Sequence, residues 1–116
     1  MEILKYTDEH RMFRDSLRRF LAREITPHVE EWEEAGIVPR EAWRKMGEQG
    51  YLAMGVPEAY GGLGADFLYS VIVTEEMVRT NHSGLAASLH SDIIVPYILA
   101  FATEELKHKY LPGCIS

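Results

Sequence analysis

The apolar positions in the first third of the chain recur at helical spacing. Between residues 7 and 32 they come every three to five residues, which places them on one side of an α-helix. They are Met12, Phe13, Leu17, Phe20, Leu21, Ile25, Val29 and Trp32. Thr7 is suited to cap this helix. Pro27 lacks the N–H that a helix interior needs, so we expect a kink or a division there and an end at Gly36.

A second helical pattern begins at Pro39 and ends at Gly50, with Ala42, Trp43 and Met46 inside. Residues 51–65 then lose the periodicity. They are rich in turn formers, namely Gly55, Pro57, Gly61, Gly62 and Gly64. A loop of this length is expected to have a role, either in binding a ligand or in shaping the fold. No strand precedes it and no Gly-Lys-Ser/Thr sequence ends it, so we interpret it as a structural turn near a domain junction rather than a phosphate site. Its glycines should supply positive φ angles.

Three more helices are predicted in the second half. The first begins near Asp66, and its apolar residues are expected to be buried: Phe67, Leu68, Val71, Ile72, Met77 and Val78. The next, capped by Ser83 and bent at Pro96, is apolar nearly all round and should lie at the centre of a bundle. The last is capped by Thr103 and should stop at Pro112–Gly113. Together these patterns predict one all-α domain, an up-and-down bundle of about five to six helices.

Composition excludes several classes of function. The formal net charge of −6 argues against nucleic-acid binding, which needs a clustered basic face. The single cysteine, Cys114, forms no internal disulfide and has no partners at zinc-ligand spacing, so we expect an intracellular protein without a metal site. The N-terminus lacks the apolar segment of a signal peptide. The most apolar stretch, residues 85–101, is too short and too polar to span a membrane.

Four strings of residues resemble the acyl-CoA dehydrogenase family, in the family's order and spacing. They are His10-Arg11-Met12-Phe13-Arg14, Pro57-Glu58-Ala59-Tyr60-Gly61-Gly62-Leu63-Gly64, Glu75-Glu76, and Thr103-Glu104-Glu105-Leu106 with Lys109-Tyr110-Leu111-Pro112. The resemblance covers almost the whole chain. Glu31-Trp32-Glu33 and Leu89-His90-Ser91 are similar to the long-chain members and their bacterial relatives.

The resemblance implies an FAD-dependent enzyme that converts a fatty acyl-CoA to a trans-2-enoyl-CoA in β-oxidation. It implies reoxidation by an electron-transferring flavoprotein and assembly as a tetramer or dimer, in the bacterial cytoplasm or the mitochondrial matrix. Residues 1–116 match only the N-terminal helical domain, with the middle β domain and the C-terminal helical domain absent. The catalytic base and most flavin contacts belong to those domains, so we expect no catalytic residue here and an inactive chain.

By resemblance, the helix predicted to begin at Gly84 forms one wall of the pocket for the acyl chain. Matching it to the family puts Ala86, Ala87, His90 and Ile94 along that wall, on one stripe at roughly i,i+4 spacing. The small alanines would leave depth for a long chain. His90 could instead be a packing residue, since no second metal ligand or catalytic partner accompanies it.

Other residues have simpler interpretations. The remaining histidines should lie on surfaces or caps: His10, His28, His82 and His108. Glu75 and Glu76 diverge by about 100° on a helix, so an ion pair on the helix surface or a contact between domains is favoured over acid–base work. Four methionines are expected to fill the core: Met12, Met46, Met54 and Met77. Ala102 stands where relatives often have glycine, and a left-handed backbone there would cost about 1 kcal/mol.

An alternative function stays open, a stand-alone helical binding or assembly module that kept the fold and lost the chemistry. The chain finishes with Leu111-Pro112-Gly113-Cys114-Ile115-Ser116, which resembles a linker entering a further domain more than a capped terminus. We therefore expect a fragment of the larger enzyme.

Overall fold

The computed structural model describes residues 4–82 and 84–116. Its α-helices are α1 (Asp8–Glu24), α2 (Val29–Ala35), α3 (Arg40–Glu48), α4 (Phe67–Arg79), α5 (Ala87–Leu89), α6 (Val95–Phe101) and α7 (Glu104–Ile115). A π-helical segment, His90–Ile94, joins α5 to α6, and 3-10 turns lie at Thr26–His28 and Glu58–Tyr60. No strand occurs in these two ranges. The all-α prediction is confirmed.

Both ends of the first helical region follow the sequence signals. Thr7 caps α1: its hydroxyl accepts the N–H of His10 at 3.2 Å, and its own N–H donates to Nδ1 of His10 at 2.9 Å. This is a capping box in which histidine replaces the usual glutamate or glutamine. Pro27 lies in the 3-10 turn that separates α1 from α2. Gly36 ends α2 with a φ of +73°, as predicted.

Helices α1 and α4 run side by side in the same direction. Near their starts, Nε2 of His10 lies 3.1 Å from both carboxylate oxygens of Asp66, and Asp66 caps α4 by accepting the N–H of Leu68. Because Nδ1 of His10 accepts a hydrogen bond from the Thr7 N–H, Nε2 is the ring nitrogen that bears the hydrogen, and it donates a hydrogen bond to Asp66. Two turns further along, Arg18 reaches Glu76. Polar contacts therefore join α1 and α4 at both ends of their shared interface.

The main core lies between α1, α3, α4 and the start of the loop at residues 51–65. Its largest fully buried side chains are Leu17, Ile25, Met46 and Ile72. A second, smaller cluster joins this loop to α6 and α7 through Ala53, Val56, Val95 and Leu111. The two clusters hold both halves of the chain to one loop.

The glycine-rich loop is closed by its own hydrogen bonds. The N–H groups of Gly61, Gly62 and Gly64 donate to carbonyls of the same loop, at 2.8–3.1 Å. A Cβ built on Gly62 would lie 1.9 Å from the carbonyl oxygen of Val56, so only glycine fits there. Positive φ angles occur at Gly61 and Gly64 but not at Gly55 or Gly62. These bonds support a structural turn, since the glycine N–H groups are not free to hold a phosphate.

The predicted central position of the helix after residue 83 is wrong. It begins at Ala87 rather than Gly84, and several of its large apolar side chains face outward, including Ile93 at 61% exposed and Phe101 at 74%. The predicted cap, Ser83, lies outside the described residues. Exposure also corrects Phe67, Val78 and Met12, which were expected in the core. The cause is shared by the first two and by this helix: no element of the described chain packs on that face.

Three local predictions at other helix positions also change. Helix α7 continues through Pro112 to Ile115, because Leu111 is fully buried and Ile115 packs on the second cluster. Ala102 has an extended backbone (φ −77°, ψ 159°), so the expected left-handed cost does not arise. The i,i+4 spacing of Glu41 and Lys45 predicts an ion pair along α3, but Lys45 pairs with Glu24 of α1 at 2.9 Å instead.

Candidate ligand groove on the α4–α5 face

An open apolar groove of about 400 Å³ lies between α4 and the helix that begins at α5. Its floor is formed by Phe67 and Val71 from α4 and by Leu89 and Ile93 from the opposite side. Its polar lining residues are Ser70, Thr74, Glu75, Ser88 and Asp92. Clefts that are mostly apolar with a few polar groups are typical of ligand sites.

The far wall of the groove is shaped by the π-helical segment. The N–H of Val95 donates to the carbonyl of His90, five residues back, which widens the helix by one residue. Pro96 follows immediately; it lacks an N–H, and its ring crowds the carbonyl four residues earlier. The irregularity predicted at Pro96 therefore lies in the turn before it. Such π segments interrupt α-helices frequently at functional sites.

Ser91 of the π segment stabilises a strained residue of the loop. Its Oγ accepts the N–H of Ala53 at 2.8 Å. Ala53 is buried and has a φ of +50°, a conformation that costs a non-glycine residue about 1–2 kcal/mol. This bond ties the groove's wall to the loop that holds both core clusters.

None of the four residues predicted to face an acyl chain lines this groove. Ala87 is in the core at 1% exposed, Ala86 and His90 are partly buried, and Ile94 is 49% exposed. The same helix lines the groove with a different set of residues, namely Ser88, Leu89, Asp92 and Ile93. The predicted stripe assumed a continuous α-helix from Gly84, whereas Ala86 precedes α5 and a π segment begins at His90.

His90 binds the end of α7. Its Nε2 lies 2.7 Å from the carbonyl oxygen of Cys114, to which it donates a hydrogen bond. Its ring meets Trp43 edge to face at 5.8 Å between centroids. The packing alternative for His90 therefore accounts for its contacts within the described chain. Partial burial of the Cys114 thiol raises its pKa, which disfavours the reactive thiolate.

Beside the groove, Glu76 forms ion pairs, as favoured from the sequence, but they are buried in a cluster rather than on the helix surface. The side chain is 1% exposed, accepts a bidentate bond from Arg18 at 2.8 and 3.0 Å, and lies 2.9 Å from Arg14. The hydrogen bonds from Arg18, followed by those from Arg14, lower its pKa against the opposing effect of burial. Glu75 is half-exposed and shares Arg14 at 3.0 Å. A surface position for Glu76 is therefore wrong, because α1 covers that face.

His82 also differs from its predicted surface position. Its side chain is 4% exposed, with Nδ1 at 3.2 Å from a carboxylate oxygen of Glu33 and its ring 6.1 Å from that of Trp32. His28 and His108 are exposed, as predicted. The described histidines are dispersed over the fold.

Residues 4–82 and 84–116 contain no cluster of three or more His, Cys, Asp or Glu side chains suited to a metal ion. No helix in those ranges has the length and hydropathy to cross a membrane.

Comparison with known families agrees with this fold and these motifs. Residues 7–116 match the family described as "Acyl-CoA dehydrogenase, N-terminal domain". The chain belongs to this family. The four strings that carried the resemblance lie on α1, on the closed glycine loop, on the ionic cluster of α4, and on α7, so they are the elements that shape the domain.

Named relatives support the same assignment. The chain is 44% identical over 107 residues to the mouse mitochondrial long-chain specific acyl-CoA dehydrogenase, covering 92% of this chain and 25% of that protein. It is 35% identical to a mitochondrial isovaleryl-CoA dehydrogenase of Solanum tuberosum, covering 97% and 28%. A crystal structure of acyl-CoA dehydrogenase from Geobacillus kaustophilus superposes with a TM-score of 0.91 at 49% identity, over 95% of this chain and 29% of that one. The chain thus spans about a quarter of its relatives' length.

Proposed function

We propose that this chain is the N-terminal helical domain of an FAD-dependent acyl-CoA dehydrogenase and supplies one wall of the pocket for the fatty acyl chain. The observation that carries the proposal is the apolar groove between α4 and α5, on a domain whose relatives are acyl-CoA dehydrogenases. The intact enzyme would form a trans-2-enoyl-CoA and pass electrons to an electron-transferring flavoprotein. A preference for long chains is supported by the mouse relative.

The groove fits an alkyl chain in both chemistry and shape. Phe67, Val71, Leu89 and Ile93 offer apolar surface, and burying a methylene group contributes about 0.8 kcal/mol. Two carboxylates line the groove as well, those of Glu75, which is paired with Arg14 at 3.0 Å, and of Asp92. The family resemblance gives a different set of wall residues, namely Ala86, Ala87, His90 and Ile94. An experiment has to show which of the two sets contacts the acyl chain.

The described residues do not fit the flavin. A dinucleotide needs a cradle of backbone N–H groups for its phosphates, and the glycine loop uses its own N–H groups internally. The positive charges of α1 that approach α4, on Arg14 and Arg18, are paired with the carboxylates of Glu75 and Glu76. We therefore assign no flavin contact and no catalytic residue to this chain, and we expect the isolated chain neither to hold FAD tightly nor to oxidise acyl-CoA.

The large outward apolar side chains of the π segment and α6 are consistent with a domain that is covered by further parts of a larger protein or by a partner. Tyr97 is 68% exposed, its ring centroid lies 4.9 Å from that of Phe101 with the two planes tilted by 49°, and Ile93 is also exposed. Exposed apolar patches of this kind mark surfaces that contact another molecule or domain.

Photo-crosslinking tests the proposal directly. An acyl-CoA with a terminal diazirine on a 12-carbon chain is incubated with the 116-residue protein, irradiated, and the labelled peptides are identified by mass spectrometry. We expect labels on Val71, Leu89 or Ile93, and competition by unlabelled dodecanoyl-CoA. Labels on Ala86 or Ile94 instead would place the acyl chain on the stripe inferred from the family.

Labelling spread over the surface, without competition, would contradict a binding wall in this chain. The matched control is Leu89→Ser, which removes apolar surface from the groove, against Leu106→Ser on α7, which is similarly exposed but lies outside it. Only the first substitution should reduce the specific label.

A further inference from the structure

Five polar side chains line the groove, and three of them are satisfied within the chain. Thr74 and Ser88 bond to each other at 3.0 Å across the groove, and Glu75 is paired with Arg14. Ser70 and Asp92 differ. Both are partly buried, and among residues 4–82 and 84–116 neither side chain has a hydrogen-bond or ionic partner. Their side-chain oxygens keep some solvent exposure, since among the described residues the fully buried side-chain atom without a partner is Nε2 of His82, so both groups can bond to water or to a ligand.

Ser70 and Asp92 also line a second groove. This groove of about 310 Å³ runs along α6 and the loop, lined by Val56, Pro96 and Leu99 among others. Ser70, Asp92 and Phe67 are the residues common to the linings of both grooves. The two unpartnered polar groups therefore stand where the grooves meet, at one end of the apolar floor.

The π segment accounts for the position of Asp92. Its neighbour Ser91 is directed to the N–H of Ala53, and His90 to the carbonyl of Cys114. The two preceding residues are therefore bonded inside the fold, and the next two residues of the widened turn, Asp92 and Ile93, line the groove. Two hydrogen bonds, to the loop and to the end of α7, thus fix the backbone segment that carries the Asp92 carboxylate.

We propose that Asp92, assisted by Ser70, is a polar subsite that selects ligands carrying a hydrogen-bond donor next to an apolar chain. A carboxylate is an acceptor only, and a serine hydroxyl can accept as well, so the matching group is a hydroxyl or an amide N–H. The inference rests on the proposed acyl groove and defines which part of its ligand is polar. The carboxylate would disfavour a purely apolar end, since its desolvation would go uncompensated.

The test compares two probes of nearly equal size, 1-decanol and its ether isomer 1-methoxynonane, in ¹⁵N–¹H NMR titrations of the 116-residue protein. Both should shift the amides of Leu89 and Ile93. Hydrogen bonds to charged groups are stronger than neutral ones, so we expect 1-decanol to bind about tenfold more tightly. Asp92→Leu should reduce this ratio to about one while keeping the ether's affinity, and Glu34→Leu, which removes an exposed carboxylate from α2, should leave it unchanged.

Each outcome decides between the two claims. Equal affinity of both probes, with shifts on the groove, would overturn the polar subsite and leave the groove intact. No shift on α4 or α5 with either probe would overturn the acyl groove and the subsite together. A ratio that survives Asp92→Leu would place the acceptor at another residue and overturn the assignment to Asp92. If that variant does not fold, Asp92→Asn keeps an acceptor without the charge, and the ratio should fall to about threefold; an unchanged ratio would count against the carboxylate.

Discussion

Replacing Glu76 by glutamine removes the negative charge that holds α1 to α4. In the folded protein this carboxylate is 1% exposed and lies within 2.8–3.0 Å of Arg14 and Arg18. Glutamine has the same shape and keeps one acceptor oxygen, but its amide nitrogen faces a guanidinium that also only donates. The substitution therefore tests the ion pairs with little change in packing.

The size of the effect follows from the exposure of the partners. Removing one member of a fully buried pair costs about 3–5 kcal/mol. Here Arg14 and Arg18 are 22% and 47% exposed, so water can solvate them in the variant, and the remaining acceptor offsets part of the loss. We expect the free energy of unfolding to fall by about 2 kcal/mol. For 116 residues this corresponds to a fall in Tm of about 8 °C.

Urea denaturation followed by circular dichroism at pH 7 measures this difference. Glu75→Gln is the matched control: it makes the same chemical change one residue away, on a half-exposed side chain with one partner, and should cost less than about 1 kcal/mol. Because Arg18 and Arg14 lower the pKa of Glu76 below its ordinary value of 4.5, its contribution is complete above pH 4.5 and is lost as the pH falls through the lowered pKa. The gap between wild type and variant should close in acid.

Two results would refute this reasoning. One is a Glu76→Gln variant as stable as the wild type at pH 7, or no less stable than Glu75→Gln. The other is a stability gap that stays constant down to about pH 2, since a protonated Glu76 no longer differs in charge from glutamine.

Three further expectations concern the glycine loop, the cap of α1 and the exposed face of α6. Gly62→Ala should lower the free energy of unfolding by about 3 kcal/mol, because its Cβ would meet the Val56 carbonyl at 1.9 Å, whereas Gly113→Ala in α7 meets no atom within 4 Å and should be neutral or stabilising; equal losses in urea denaturation would contradict the loop geometry. Thr7→Ala should cost about 1 kcal/mol through its lost cap, and an unchanged Tm would mean that the capping box contributes nothing. Exposed apolar residues of α6 should make the chain self-associate, and Phe101→Ser should reduce this in sedimentation velocity; a monomeric wild type would contradict it.

Local signals in the sequence predicted the helices well. Thr7, Asp66 and Thr103 cap the helices they were expected to start, and Gly36 ends α2 in the left-handed conformation. These residues act within one turn of the backbone, so their effect does not depend on the rest of the fold. The closed glycine loop was also predictable as a turn, although its internal hydrogen bonds were not.

Burial and long-range pairing could not be predicted from spacing. The partners of Glu76 and Lys45 lie 58 and 21 residues away along the chain, and periodicity carries no information on such distances. Apolar residues of α6 were assigned to the core because hydropathy does not say which apolar face is covered within this chain. The groove lined by Leu89, Asp92 and Ile93 was not predicted, because the apolar residues of this helix were assigned to the core. Pro96 was the signal of an irregular helix, but not of its type.

The most direct test of the central claim is a chimera in which this chain replaces the equivalent N-terminal domain of the Geobacillus kaustophilus acyl-CoA dehydrogenase, to which it is 49% identical. Turnover is measured against acyl-CoA substrates of increasing length, with and without Leu89→Trp in the groove. We predict an active flavoprotein whose preferred chain becomes shorter with Leu89→Trp and stays unchanged with Phe101→Trp outside the groove. A chimera that folds and holds flavin but fails to turn over any acyl-CoA, or keeps its chain-length profile with Leu89→Trp, would contradict the acyl-wall assignment.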